Sequence, residues 1–259
     1  MQVIAIANEK GGTGKTTTAV NVSAALGLAG YQVVVIDLDS QAHATEWLGL
    51  SKSGITPEQS SYGVLTGATE IVDALHPTTE QQVRVCPGHA MLVKAPMELS
   101  TNVDGLFVLR DALHQAAESS EQIDYVVIDC PGAIGPLVYN ALIAAHLVIA
   151  PVLSELLSIE GLGELTETVR RVKARHSPQL PPPVILINNY EGRSTTDRQI
   201  QSGLREQFGR SVFNTCIGRD APLREAFGSQ ESIFRYRRSA RSATAFRDLA
   251  AEIVERLNG

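Results

Sequence analysis

The chain has 259 residues and a formal net charge of −6. Hydrophobic residues make up 44% of it, which suits a folded domain that buries its aliphatic side chains and excludes a largely disordered protein. No window holds the roughly 18 apolar residues of a membrane helix, and the first residues lack a basic signal start, so we expect neither a membrane-spanning nor an exported protein. The spacing of Cys86, Cys130 and Cys216 fits neither a zinc site nor a disulfide framework, and reduced thiols in a cytoplasmic protein are the simplest interpretation.

Short apolar runs bounded by polar residues predict buried parallel strands at 3–7, 33–36, 125–128, 147–152 and 184–187. The stretch 51–96 is less regular and contains one further possible strand at 83–86. Helical periodicity predicts helices at about 14–29, 103–118, 137–145, 160–175, 196–208 and 242–257. This alternation predicts one α/β domain over residues 1–259, with a mostly parallel, twisted sheet covered by helices on both faces.

A glycine-rich loop lies between the first predicted strand and the first predicted helix, and reads Lys10-Gly11-Gly12-Thr13-Gly14-Lys15-Thr16-Thr17. Its glycines allow a tight turn that aims backbone N–H groups at an anion, and the helix N-terminus adds a favourable dipole. Lys15 can then reach the β- and γ-phosphates of a nucleotide, and the Thr16 hydroxyl can coordinate Mg²⁺. The sequence therefore predicts a sheet of the P-loop NTPase type with a phosphate site at residues 10–17.

Aspartates end two of the predicted strands. Asp37 and Asp39 follow the strand at 33–36, and Asp129 follows the strand at 125–128. Because ligands of such sheets bind at the carboxyl ends of the strands, we expect these acids beside the phosphate loop, where Mg²⁺ would neutralise them. An aspartate in this position is also common as a turn or N-cap residue.

The loop departs from the common pattern G-x-x-x-x-G-K-[ST] because Glu9 replaces its first glycine and a second lysine, Lys10, follows. This lysine resembles the signature of the deviant Walker A superfamily, which includes ParA, Soj, MinD, the nitrogenase iron protein and the arsenite-pump ATPase. The resemblance to ParA-like partitioning ATPases covers nearly the whole chain. Besides the loop, it rests on the segments 37–45, 140–145, 159–162 and 235–236.

The resemblance implies an ATPase with ATP and Mg²⁺ as cofactors. It implies that Lys10 crosses a dimer interface to the partner's ATP, that Asp39 positions the attacking water, and that Asp129 holds Mg²⁺ through a water. The implied catalytic residues are Lys10, Lys15 and Asp39. The implied metal-site residues are Thr16, Asp39 and Asp129.

The base-binding residues are implied by the resemblance alone. Asn188, which follows the strand at 184–187, resembles the residue that meets the adenine, and the loop from Gly218 through Asp220 to Pro222 resembles the segment that lines it. Asn188 with Asn189 could equally form a turn. The family usually has proline where Ser40 and Gly132 stand, proline-arginine-asparagine where residues 218–220 stand, and aspartate where His146 stands.

Charge is unevenly distributed along the chain. The segment 193–247 holds eleven arginines against five acidic residues, a local charge of +6 that leaves −12 for the remainder. A solvated arginine surface is one interpretation of this pattern. The resemblance implies another, nonspecific binding of double-stranded DNA through its phosphates, and the candidate residues are Arg193, Arg224, Arg237, Arg238 and Arg241.

We therefore expect a DNA-segregation ATPase that is a homodimer in the ATP state, has a ParB-type centromere-binding partner and associates with the nucleoid in the cytoplasm. The alternative is a MinD-like positioning ATPase on a membrane, which would require a basic amphipathic helix at the C-terminus. The final segment 246–257 is mixed or acidic, which favours a helix packed on the core and no membrane partner. An iron–sulfur reductase is a third possibility, but Cys86 and Cys130 do not match its cluster-binding pattern.

Overall fold

The computed structural model describes residues 1–154, 158–192 and 194–258. These residues form an eight-stranded sheet with the order β3-β4-β2-β5-β1-β6-β7-β8. The pairings are parallel, except that β3 runs antiparallel to β4. In chain order the strands are β1 Gln2–Ile6, β2 Val33–Asp37, β3 His76–Pro77, β4 Val83–Cys86, β5 Tyr125–Asp129, β6 Leu147–Leu153, β7 Val184–Tyr190 and β8 Ile217–Gly218.

Helices connect these strands. Within the described ranges they are α1 Lys15–Leu28, α2 His43–Trp47, α3 Ser61–Leu65, α4 Ala95–Thr101, α5 Val108–Glu118, α6 Pro136–Ala144, α7 Ser158–Arg175, α8 Thr195–Phe208, α9 Ala221–Gly228, α10 Ile233–Tyr236 and α11 Arg241–Asn258.

The helices cover both faces of the sheet, because successive strand residues point to opposite sides. In β1, Val3 and Ala5 pack with α3 to α8, whereas Ile4 and Ile6 pack with α1, α2, α9, α10 and α11. Both faces of the sheet are therefore buried in hydrophobic cores, which explains why the strands are nearly continuous apolar runs. The predicted fold class, a mostly parallel sheet with helices on both faces, is confirmed.

The predicted start of the helix at 103–118 is wrong, because α5 begins at Val108. The chain makes a separate turn at Gly105, where a side chain would collide with the carbonyl group of Leu99. Asn140 of α6 stabilises that turn, since its amide donates to the carbonyl oxygen of Gly105 (2.8 Å) and accepts from the backbone N–H of Leu109 (3.1 Å). A distant side chain therefore sets where α5 begins.

The edge strands β3 and β8 are absent from the sequence-based prediction. Each contains only two residues, which is too short for a hydrophobic period to be recognised. The short helices α2, α3, α4, α9 and α10 are also absent from the sequence-based prediction. Of these, α2 and α10 contact α1, and α9 contacts α10.

The carboxyl ends of β1, β2 and β5 lie side by side. The register pairs Asp129 with Ile6 on one side and with Asp37 on the other. Strands are added to the sheet on both sides of β1: β5, β2, β4 and β3 lie on one side, and β6, β7 and β8 lie on the other. In such sheets a crevice forms at the carboxyl ends of the strands where the strand order reverses, and the loop after β1 lies at that point.

Candidate nucleotide-binding site

The loop between β1 and α1 depends on glycine conformations. Gly12 and Gly14 have φ values of +74° and +91°, a region that other residues rarely adopt. A Cβ atom on Gly14 would also collide with the side-chain amide of Asn188. That amide donates to the carbonyl oxygen of Thr13 at 2.7 Å and so holds the loop against the end of β7. Position 14 therefore requires glycine for two independent reasons.

Lys15 is the first residue of α1, and its side chain turns back towards the loop. Its Nζ donates to the carbonyl oxygen of Lys10 at 3.2 Å, and the Thr13 hydroxyl donates to the same oxygen at 3.3 Å. Burial lowers the pKa of Lys15, while the negative charge of Asp129 acts in the opposite direction. The loop thus holds a partly desolvated cation that is ready to meet an anion.

Asp129 is the most unusual group of the site. Its side chain is only 1% exposed, and neither carboxylate oxygen has a hydrogen-bond partner among the described residues. Burial and then the negative charge of Asp37 raise the pKa of Asp129 well above its usual range, and the nearby hydroxyl of Thr16 acts in the opposite direction. An unpartnered carboxylate beside a hydroxyl is suited to a hard cation with oxygen ligands, such as Mg²⁺.

Asp37 ends β2 and Asp39 follows it two residues later, but the two carboxylates have different surroundings. Asp37 is fully buried and accepts hydrogen bonds from the backbone N–H (2.9 Å) and hydroxyl (2.7 Å) of Thr45, and from the backbone N–H of Asp39 (3.1 Å). Burial raises the pKa of Asp37 to about 6 despite these donors. Asp39 is half-buried and lines the cleft, where its carboxylate accepts from the backbone N–H of Gln41 (2.9 Å). Asp37 therefore holds the turn, and Asp39 faces the ligand space.

A cleft of about 950 Å³ opens above the loop, a size typical of small-molecule sites. The predicted residues in its walls are Gly11, Gly12, Gly14, Lys15, Thr16, Thr17, Asp39, Asn188, Gly218, Asp220 and Arg224. Four of the residues predicted for the nucleotide and metal site are not in the walls: Thr13 and Asp129 are buried, and Lys10 and Pro222 are half-buried. Sequence reasoning did not assign to the site the wall residues His43, Trp47, Gly132, Leu153, Asn189, Arg219, Leu223 and Phe227.

The predicted base-contacting side chains already bind other parts of the protein. The Asn188 amide holds the phosphate loop, and its oxygen accepts from the N–H of Asn189 (2.9 Å). The Asp220 carboxylate accepts from the backbone N–H (3.1 Å) and hydroxyl (2.8 Å) of Ser242 in the first turn of α11. These contacts link the cleft to α11, and the adenine roles of these residues stay a prediction.

Four of the five predicted DNA-binding arginines are exposed: Arg224 on α9, Arg237 and Arg238 between α10 and α11, and Arg241 at the first residue of α11. Arg224 also lines the cleft, and Arg241 lies 3.9 Å from a carboxylate oxygen of Asp220. Helix α10 contacts both α9 and α11, so these arginines belong to adjoining elements. Arg193 lies outside the described residues.

The parallel sheet, the glycine loop leading into α1 and the acids at the strand ends define a P-loop nucleoside-triphosphate-binding protein of the deviant Walker A type. The model of the AAA domain family AAA_31 matches residues 1–181. The sporulation initiation inhibitor protein Soj of Bacillus subtilis (strain 168) is 34% identical over 253 residues, or 98% of both chains. The chromosome partitioning protein ParA of Caulobacter vibrioides is 33% identical over 256 residues, or 99% of this chain and 95% of that protein.

A similar solved structure is that of cobyrinic acid a,c-diamide synthase from Mycobacterium smegmatis with a bound ATP analogue and magnesium. It has a TM-score of 0.85 and 29% sequence identity, and it covers 100% of this chain and 96% of that one. The same protein has also been solved with ADP and magnesium. The prediction of ATP and Mg²⁺ as cofactors agrees with these related structures. The chain belongs to the Soj/ParA family of chromosome-partitioning ATPases.

Proposed function

We propose that the chain binds ATP with Mg²⁺ in this cleft and hydrolyses it to ADP and phosphate. The observation that carries the proposal is the unpartnered, buried carboxylate of Asp129 beside Thr16 and Lys15 of the anion-binding loop. Thr16 and Asp129 would hold the metal, with Asp39 at its outer side. When bound, Mg²⁺ neutralises the charge that develops on the phosphate oxygens.

The remaining roles follow from position. Lys15 and the N–H groups of the loop bind the phosphates, and Asp39, on the open side of the cleft, orients the attacking water. Lys10, at the start of the loop, acts across the interface of an ATP-bound homodimer on the partner's nucleotide. Phosphoryl transfer depends on positioning and charge stabilisation, so these few groups are sufficient.

The test is the replacement Asp39→Ala. We expect this variant to bind ATP and to dimerise but not to release phosphate, so that an ATP dimer accumulates during size-exclusion chromatography. Asp104→Ala is the matched control, because Asp104 is an exposed acid in the turn before α5. If the unaltered protein releases no phosphate from ATP, or if Asp39→Ala turns over normally, the proposed mechanism is wrong.

The cellular role that we propose is DNA partition. The ATP dimer would bind double-stranded DNA nonspecifically through Arg193, Arg224, Arg237, Arg238 and Arg241, and a ParB-type partner would stimulate hydrolysis and release it. Membership of the Soj/ParA family and the exposure of the described arginines support this role. It would place the protein in the cytoplasm, on the nucleoid.

The membrane-positioning alternative has less support. Helix α11 packs its apolar side into the core through Ala243, Phe246, Leu249, Ala250 and Ile253, so that side is not available to a bilayer. Among the described residues, no helix has the length and hydropathy needed to cross a membrane. Binding of the ATP dimer to anionic liposomes, without binding to DNA, would favour this alternative.

A further inference from the structure

The turn that presents Asp39 to the cleft is held by groups that the proposed chemistry does not use. One carboxylate oxygen of Asp37 accepts from the backbone N–H of Asp39 at 3.1 Å. The other oxygen accepts from the backbone N–H (2.9 Å) and the hydroxyl (2.7 Å) of Thr45 in α2. The Asp37 carboxylate thus connects the residue that faces the ligand space to helix α2.

The hydroxyl of Thr45 forms two hydrogen bonds of opposite direction. It donates to Asp37, and it accepts from the backbone N–H of Gly88 at 2.9 Å, in the loop that follows β4. All three residues are buried, so water cannot easily replace either bond. Only a hydroxyl of this size can serve a carboxylate and an N–H group together, since valine has nearly the same shape but neither donates nor accepts.

Contacts from α3 and from the loop after β4 hold the same turn. The Ser61 hydroxyl donates to the carbonyl oxygen of Asp37 at 2.6 Å, and the backbone N–H of Ser61 donates to the carbonyl oxygen of Pro87 at 2.8 Å. A Cβ atom on Gly88 would lie 2.7 Å from the carbonyl oxygen of Asp39 and 2.9 Å from the carboxylate carbon of Asp37. The backbone at residue 88 therefore packs directly against the turn and leaves no room for a side chain.

Resting on the proposed function, we propose that Thr45 is a positioning residue for ATP hydrolysis, which acts through Asp37 to fix the place of the Asp39 carboxylate in the cleft. Thr45 is fully buried and is not in the cleft walls, so its effect on the nucleotide passes through other residues. Asp39 has to hold a water in line with the phosphate, and a misplacement of about 1 Å can cost on the order of 100-fold in rate. Phosphate binding depends on residues 10–17 and should not require Thr45.

The test is Thr45→Val, with kcat measured by phosphate release and the Kd for ATP measured by calorimetry with Mg²⁺. We expect kcat to fall about ten- to a hundredfold and Kd to change less than about twofold. Thr45→Ser keeps the hydroxyl and should restore most of kcat. Thr168→Val makes the same replacement at a buried threonine of α7, a helix that packs on β6, and should change neither value.

Hydrogen exchange of backbone amides in the nucleotide-free protein gives a measurement that does not depend on activity. The N–H groups of Asp39, Thr45 and Gly88 are all bound within this network. Their exchange should therefore be faster in Thr45→Val, because the turn opens locally, and unchanged in Thr45→Ser and in Thr168→Val.

Ser61→Ala removes a different hydrogen bond of the same turn, and it decides the question if thermal unfolding shows that Thr45→Val does not fold. It should lower kcat and leave the Kd for ATP unchanged. The inference is overturned if folded Thr45→Val hydrolyses ATP normally, loses kcat and ATP affinity alike, or is not rescued by serine. Where Thr45→Val does not fold, normal kcat in Ser61→Ala overturns it. Failure of the unaltered chain to release phosphate from ATP would instead overturn the proposed function.

Discussion

Lys15 lies at the start of α1 with its ammonium group directed at the carbonyl oxygen of Lys10. Burial lowers its pKa, which shows that the environment penalises the charge as long as no anion is bound. A phosphate group in the loop would compensate that penalty through charge-assisted hydrogen bonds. The charge of Lys15 is therefore more favourable when a phosphate is bound than in the empty protein.

We predict that Lys15→Ala loses most of the affinity for ATP, because a partly desolvated contact between an ammonium and a phosphate is among the stronger hydrogen bonds. Calorimetric titration measures the change, and thermal unfolding checks that the variant is folded. Lys173→Ala is the control, since that lysine is exposed in the last turn of α7. Equal affinity for ATP in a folded Lys15→Ala variant would exclude Lys15 as the phosphate ligand.

His146 stands where the family usually has an aspartate. It lies directly before β6, at the end of the sheet away from the phosphate loop. The residue is exposed overall, but its Nδ1 accepts from the backbone N–H of Val3 at 3.0 Å, which requires the neutral ring. Partial burial of the ring, the ammonium group of Met1 and His114 together lower the pKa of His146. The folded state therefore takes up a proton here less readily than the unfolded state does.

We predict a pH dependence of stability from this histidine. Since its folded pKa is depressed, its contribution is complete above the ordinary value of 6.5 and is lost as the pH falls below it. Urea unfolding at several pH values between about 7.5 and about 5.5 should show a decline that is shallower in His146→Asn, which keeps an acceptor but does not titrate. Identical slopes for both proteins would assign the decline to other groups.

Residues 231–233, which precede and begin α10, are bound to three separate parts of the fold. The Glu231 carbonyl accepts from Trp47, Ser232 binds the buried carboxylate of Glu80 through its N–H (3.0 Å) and hydroxyl (2.8 Å), and the N–H of residue 233 donates to Asn21 of α1 (2.9 Å). This segment leads directly into the connection that carries the exposed arginines. The position of those arginines therefore depends on contacts with the helix of the phosphate loop.

We predict that Ser232→Ala lowers the free energy of unfolding by about 1–3 kcal/mol, because it leaves one oxygen of a buried carboxylate without its donor. Glu80 is only 7% exposed, so water cannot easily replace the hydroxyl. Urea unfolding measures the loss. Ser229→Ala should have little effect, since Ser229 is exposed. Equal losses for the two serine variants would contradict the special role of Ser232.

The homodimer that we propose distinguishes the two lysines of the loop. Lys10→Ala should still bind ATP, because the phosphate ligands of its own chain remain, but it should neither dimerise nor hydrolyse ATP. Size-exclusion chromatography and phosphate release, both with ATP, measure these properties. An ATP dimer of Lys10→Ala with normal turnover would show that the contact across the interface is not needed.

The arginines of α9 and of the α10–α11 connection lead to a prediction for DNA. Each monomer offers few phosphate contacts, whereas a dimer doubles them, so the affinity for duplex DNA should rise with ATP and fall steeply with salt. Each phosphate neutralised contributes about −0.9 to the slope of log K against log salt. Arg237→Glu combined with Arg238→Glu should weaken binding to every duplex alike and flatten that slope, because backbone contacts do not read bases.

Fluorescence anisotropy with random duplexes, with and without ATP, measures these effects. The control is Lys173→Glu combined with Arg175→Glu, which reverses two exposed charges on the other face of the sheet. ATPase activity should be unchanged in both double variants. No binding of random DNA by the unaltered ATP dimer at low salt would end the partition proposal.

The sequence alone predicted the five longest strands of the sheet, the phosphate loop and the acids at the strand ends, and it marked 83–86 as a possible further strand. These features are local, because a buried strand is an apolar run, and because an anion-binding turn needs glycines at adjacent positions. The same local logic placed Asp39 and Asp129 beside Lys15, since parallel strands bring their carboxyl ends together.

The tertiary structure decided the features that depend on contacts between distant parts of the chain. Asn140 determines where α5 begins, and Asn188 holds a loop 175 positions away in the sequence. The rings of Trp47 and Phe227 meet edge to face, although neither residue belongs to a recognisable motif. Asp37 and Asp39 look alike in sequence, but only folding buries the first among donors and turns the second to the cleft. Such roles arise from burial and partner geometry, which a linear pattern of residue types does not contain.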